Sequence, residues 1–181
     1  MSFPKPYADA VAKLRVFSGF LLAAAFLWLS APSSTSLAAG IPVAIAGLAV
    51  RAWAAGNLEK NLALTASGPY QFVRNPLYLG TLAVAGGLAI ASRRWMLGAL
   101  FAAVFVLIYL PVVELEEQHL RKLFPDYADY ARRVPKLIPR FSRGTEPRKR
   151  FSWARYRSNR EYEALAGFLA GMAVLVWKTL R

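Results

Sequence analysis

Cysteine is absent from the 181 residues, and histidine occurs once, at His119. The first absence excludes disulfides, thiolate metal sites and cysteine nucleophiles; the second excludes a multi-histidine metal cluster, so no metal is expected. Acidic residues are also scarce, 10 against 23 Lys and Arg, for a formal charge of +13. The chain has no internal repeat and no low-complexity tract. What it has in quantity is apolar sequence, 56% of all residues. That material comes in long blocks with the charge between them, the division expected of a polytopic membrane protein with basic faces. A cationic chain also suits nucleic acid. Here the apolar blocks make membrane lipid the simpler partner, and no nucleic-acid partner is expected.

The first block, Val16 to Ala31, follows Lys5, Lys13 and Arg15. A secretory leader has the same basic-then-apolar order, but further spans follow at once and favour a first spanning helix. An uncharged turn around Ser33 to Ser36 leads to the second block, Leu37 to Ala55, with Pro42 near its start and Arg51 near its end. Arg51 at that depth is expected to snorkel to the interface. Small residues at Gly40, Ala44 and Gly47 permit close approach of a neighbouring helix. Asn57 to Ser67 reads as a polar, helix-compatible connector. The third block, Leu77 to Ala91, is near the short limit for a span. It turns at Arg93-Arg94 into the fourth, Trp95 to Val113.

The chain is expected to leave the bilayer at Pro111. From there Leu120, Leu123, Phe124 and Tyr127 recur on one helical face. Phe141 to Arg160 carries Arg143, Arg148, Lys149, Arg150, Arg155, Arg157 and Arg160 among aromatic residues, which suits anionic lipid. A polar cluster, Asn159 to Glu163, precedes the last apolar run, Ala164 to Trp177. It reads as a helix start with acid in its first turn. Within that run Gly167 and Gly171 have G-x-x-x-G spacing, expected to pack on the chain's own bundle. The architecture that follows is all-α: a polytopic integral membrane bundle of about five transmembrane helices with a cytoplasmic interfacial helical segment. It is one domain, with residues 1–56 as an N-terminal membrane hairpin, 57–140 as a cofactor-binding core, and 141–181 as the basic segment and last helix.

Between the second and third blocks lies a polar, turn-prone stretch, Gly68 to Gly80. Gly68-Pro69 marks a turn, and Pro76 pushes Asn75 out of the helical region while suiting the first turn of the next helix. Arg74, Asn75 and the first-turn amides near Leu77 and Tyr78 therefore gather at a helix N-terminus, where an anion is welcome. The residues alone fit equally well a loop whose arginine touches lipid phosphates. Glu114, Glu116 and Glu117 lie further on, where simple pairing with Arg121 and Lys122 is also open.

Gly68-x-Tyr70-x-x-x-Arg74-Asn75-Pro76-x-Tyr78-x-Gly80 resembles the G-x-Y-x-x-x-R-H-P-x-Y-x-G signature of a membrane methyltransferase superfamily. Isoprenylcysteine carboxyl methyltransferases and phospholipid N-methyltransferases belong to it. A second block, Glu116-Glu117, Leu120, Phe124, Tyr127, Tyr130, Val134-Pro135 and Pro139, is similar to the same family's closing run. Two departures stand out: Asn75 replaces the family's histidine, and Pro125 stands near its usual glycine. Asparagine still hydrogen-bonds but carries no charge.

The resemblance implies an enzyme that uses S-adenosylmethionine on a lipid-like or isoprenylated acceptor. It also implies a donor site made of Tyr70, Asn75, Pro76, Leu77, Tyr78, Gly80, Glu116 and Glu117, with Arg74, Glu116 and Arg133 as catalytic candidates. Arg74 suits the donor carboxylate, the glutamates its ammonium or ribose diol, and the tyrosines its adenine or sulfonium. His119 is expected to be a surface residue. Arg133 suits an acidic acceptor group or a lipid phosphate. Two rivals remain: an NADPH-dependent sterol-type reductase with a related motif, for which the chain is short, and a non-catalytic scaffold, to which Asn75 lends weight. The acceptor nucleophile and the oligomeric state stay open.

Of the 23 Lys and Arg, 13 lie between Arg121 and Arg160, and the Ser33 to Ser36 loop has none. The positive-inside rule therefore places the N-terminus, the signature loop and the active site on the cytoplasmic side. An acceptor arriving from the bilayer is expected to enter sideways along Gly80, Ala83 and Gly87.

Overall fold

The computed structural model describes residues 3–140 and 150–181, and every regular element among them is helical. Helix α1, Lys5–Leu29, starts ahead of the first apolar block because Pro6 occupies its first turn, where a missing N–H is harmless. It ends before Pro32, which disfavours helical geometry at Ala31. Helix α2, Ser34–Asn57, starts where the Ser33 and Ser36 side chains accept from each other's backbone N–H, at 3.2 and 2.9 Å respectively. Helix α3 is Pro76–Ser92 and α4 is Trp95–Val104. A π-helical segment, Phe105–Tyr109, then joins α4 to α5, Leu110–Leu123. Helices α6, Tyr127–Arg133, α7, Trp153–Ser158, and α8, Tyr162–Leu180, complete the order. Four helices, α1, α2, Trp95–Leu123 and α8, are long and apolar enough to cross a membrane, and α3 is a shorter apolar helix. This is a helical membrane bundle.

Pro111 does not interrupt the fourth apolar helix. The helix runs unbroken from Trp95 to Leu123, and the reason is local. A proline removes the bond to the carbonyl four residues earlier and crowds it. That carbonyl belongs to Leu107, inside the π-helical segment, and the Tyr7 hydroxyl of α1 donates to it at 2.6 Å. Lipid offers no substitute donor. Tyr7→Phe is expected to destabilise the protein by about 1 kcal/mol or more. In a Pro111→Ala background, where an amide again reaches the carbonyl, the same change should cost much less. Thermal unfolding of the four proteins in nanodiscs measures the difference.

Three further expectations change. Of the connector expected at Asn57–Ser67, Asn57 ends α2 and the rest, 58–67, is turns and irregular backbone, with Asn61 at φ 59, rather than helix. The face expected to hold Leu120, Leu123, Phe124 and Tyr127 is interrupted: Pro125 ends α5 at Leu123, whose side chain is 40% exposed. Leu120, Phe124 and Tyr127 still meet, but across the break. Gly167 and Gly171 do not pack on the bundle; no described atom lies within 4 Å of where their Cβ atoms would be.

The chain divides into two units, one of Met1–Pro42, Ala85–His119 and Ala170–Arg181, the other of Val43–Val84 and Leu120–Leu169. The first has a core of Phe26, Leu37, Ala91, Leu97 and Leu175. At one end of it, helix C-terminal carbonyls find partners. Ser92 O accepts from Ala31 N at 3.0 Å, Ala91 O from Ser36 Oγ at 2.8 Å, and Ser30 O from Lys178 Nζ at 2.9 Å. The exposed indoles Trp28, Trp95 and Trp177 belong to the same helix ends, as in the aromatic belt at a membrane boundary.

The second unit has a core of Tyr127, Tyr130 and Val134. Helices α2 and α3 touch backbone to backbone in each unit. A Cβ on Gly47 would lie 2.7 Å from Gly80 O and Val84 N, and one on Gly40 only 2.3 Å from Gly87 O. Gly80, Ala83 and Gly87 therefore face α2, and the sideways entry expected along them is corrected to helix packing.

Candidate functional site

The signature stretch folds in the second unit. Gly68 adopts φ +62, and the Asn57 side-chain carbon lies 2.9 Å from where a Cβ would stand, so only glycine fits. A single 3₁₀ turn, Gly68–Gln71, follows. Asn75 then takes the N-cap position of α3, its carbonyl accepting from Leu79 N at 3.1 Å, with Pro76 buried in the first turn. Both features follow from the Gly-Pro and Asn-Pro dipeptides.

The closing run 130–140 of the second block is stitched to this stretch. Arg74 N donates to Pro135 O at 2.8 Å, and Arg140 N to Phe72 O at 2.9 Å. The Tyr130 hydroxyl donates to Tyr70 O at 2.8 Å within the core. Side chains add Arg74 Nη1 to Ala131 O at 3.3 Å and Asn75 Nδ2 to Lys136 O at 3.2 Å. Prolines 135 and 139 keep 134–140 out of helix, which leaves its carbonyls available to the loop. Tyr70 is buried, Tyr78 half-buried, and Leu77 directs its carbonyl to Arg51. Arg133 is exposed on α6, its Nε donating to Asp129 O at 3.4 Å.

Glu116 and Glu117 belong to the other unit. There Glu117 is buried, and the half-exposed Glu116 pairs with Arg15 at 3.6 Å. His119 is exposed, as expected. Arg143, Arg148 and Lys149 of the basic segment fall outside the described residues.

Several residues of the second unit were not anticipated. Asn57 is 1% exposed; its Nδ2 donates to Trp53 O, while its Oδ1 has no hydrogen-bond partner among the described residues. The buried Ser67 Oγ is in the same position. Two orphaned polar atoms flanking Gly68 are places where a water or a ligand hydroxyl or amine is needed. Arg51 does not snorkel. Its guanidinium meets Glu161 at 2.6 and 2.9 Å, with the carboxylate side chain 7% exposed.

Residues 152–159 cap the end of α2. Gly56 O accepts from Ser152 N and Arg155 Nε, each at 3.0 Å, and Asn159 Nδ2 reaches Ala55 O and Leu58 O at 2.9 and 3.1 Å. Arg155 also pairs with Glu59 at 2.9 Å. The Asn159–Glu163 cluster thus splits into a cap, an ion-pair partner for α2 and a helix start in which Glu163 pairs with Arg160. An arginine deep in an apolar run was the available signal, since it requires an acid somewhere.

Residues 14–127 match the model of the phospholipid methyltransferase family. The chain is also similar to a cobalt-zinc-cadmium resistance protein of Cupriavidus metallidurans, 36% identical over 117 residues, covering 64% of this chain and 53% of that protein. A nickel-cobalt-cadmium resistance protein of Alcaligenes xylosoxydans xylosoxydans is 35% identical over 117 residues, with 64% and 54% covered. The chain thus spans about half the length of these relatives. No solved structure matches.

Proposed function

Because the chain belongs to the phospholipid methyltransferase family, we propose that it transfers a methyl group from S-adenosylmethionine to a lipid-like or isoprenylated acceptor held in the membrane. The observation that carries this reading is the stitching of the two motif blocks, with Arg74 and Arg140 donating to Pro135 and Phe72 across the seam. A family signature kept only as sequence would not need its halves joined backbone to backbone.

When bound, the donor supplies an electrophilic methyl group on a sulfonium. The chain's residues fit its functional groups. Arg74 and the positive end of α3, with Asn75, Pro76 and Leu77 in its first turn, suit the carboxylate. Asn57 Oδ1 and Ser67 Oγ have no hydrogen-bond partner among the described residues and suit an amine or a hydroxyl. Tyr70 and Tyr78 offer ring faces to the adenine or the sulfonium. Arg133 is assigned to an acidic group of the acceptor or a phosphate, on the resemblance. Gly80 contributes by letting α2 close on α3. Transfer of a methyl group disperses the sulfonium charge, so the protein's part is to align acceptor and donor and to keep water out.

Calorimetry in detergent tests the reading: S-adenosylhomocysteine should bind and NADPH should not. NADPH binding instead would establish the reductase, and binding of neither would leave the scaffold. We place the signature loop on the cytoplasmic side. Since the chain lacks cysteine, single cysteines at Ser34 and Ser158 should label from opposite faces of sealed vesicles; labelling from one face would overturn this topology. The relatives are named for resistance to metal ions. A second reading is therefore that the methylated product supports metal tolerance, which growth of a deletion strain on cobalt, zinc and cadmium measures.

A further inference from the structure

An arginine and a glutamate facing each other inside a membrane bundle are costly unless they are used. Arg51 lies in α2, and Glu161 immediately precedes α8. Both Glu161 oxygens are engaged by the Arg51 fork, at 2.6 and 2.9 Å. What the fork does with its remaining donor is informative. Arg51 Nη1 reaches Leu77 O at 3.3 Å and Thr81 Oγ1, and the Thr81 hydroxyl in turn donates to Leu77 O at 2.9 Å. The aliphatic stem of Arg51 crosses Gly80, where a Cβ would stand 2.5 Å from Arg51 Cγ. One arginine side chain therefore meets the second residue of α3 and its sixth through the guanidinium, and the glycine between them through its stem. Glu161 holds that guanidinium from the other side.

We propose that Arg51 and Glu161 form a positioning pair that clamps the first turn of α3, and through it holds Arg74 and the helix N-terminus in register for the donor carboxylate. The affinity part of this rests on the donor reading above. Neither residue touches the donor in this account; Arg51 acts through Leu77 and Thr81, and Glu161 acts through Arg51. The pair also explains Gly80, since any larger residue displaces the arginine stem. A simple bundle-stabilising ion pair would have no need of the Leu77 carbonyl.

The test separates clamping from stability. Removing one partner strands a buried charge, so Glu161→Gln or Arg51→Met alone is expected to unfold readily. The paired change Arg51→Met with Glu161→Leu removes both charges and should restore the unfolding temperature to near that of the wild type. Two readouts are then taken on the full chain in nanodiscs. Backbone hydrogen exchange over 77–82 should rise about tenfold or more in the paired variant, and the Kd for S-adenosylhomocysteine should rise about 10- to 100-fold. Arg51→Lys keeps the charge but loses the fork, and should show the same loosening in a weaker form. This second variant serves if the paired one does not fold. Unchanged exchange over 77–82 in either folded variant would reduce the pair to bundle packing and overturn the proposal. If the wild type binds no S-adenosylhomocysteine, the donor reading falls, while the exchange comparison still decides whether the clamp exists.

Discussion

Gly47→Leu should be strongly damaging, lowering stability by about 3 kcal/mol or more. Its Cβ would stand 2.7 Å from two backbone atoms of α3, Gly80 O and Val84 N, and backbone cannot swing aside as a long side chain can. The helices must separate, and the arginine stem over Gly80 then loses its seat. Gly40→Leu should behave similarly, since its nearest obstacle is Gly87 O at 2.3 Å. Gly86→Leu, Gly167→Leu and Gly171→Leu are the controls, because no described atom lies within 4 Å of those positions. Unfolding in nanodiscs or by denaturant titration in detergent ranks the five. Equal losses at Gly47 and Gly167 would contradict the packing described.

Arg74→Ala should weaken S-adenosylhomocysteine binding at least about tenfold, near 1.4 kcal/mol. It deletes the cation beside the α3 N-terminus while leaving the backbone bond from Arg74 N to Pro135 O intact. The protein should therefore remain folded, with a binding loss larger than any shift in its unfolding temperature. His119→Ala, at an exposed position, should bind as the wild type does. Calorimetry on both variants and the wild type decides. A wild-type constant for Arg74→Ala would remove this residue from the donor site, and a large loss at His119 would reassign the chemistry.

Much of the molecule follows from local rules. Long apolar blocks can satisfy their backbone only as helices in lipid, so the bundle and its order were legible before any coordinates. Pro76 after Asn75 dictated where α3 starts, and the paired tyrosines and prolines of 127–139 marked a second block that belongs with the first. Asn75 shows the limit of that legibility. Its replacement for histidine is visible in the sequence, but its bond to the Lys136 carbonyl is not.

What the sequence by itself determined is therefore the apolar helices, the start of α3 and the two polar blocks, because hydropathy, proline geometry and capping act within a few residues. Tertiary structure alone decided the pairings that span long stretches of chain: Arg51 with Glu161 across 110 residues, Tyr7 with the carbonyl left bare by Pro111 across 100, and Gly47 with Gly80. The physical reason is common to all three. A buried charge, an orphaned carbonyl or a bare glycine backbone states a need, but which distant residue meets it depends on which helices pack together.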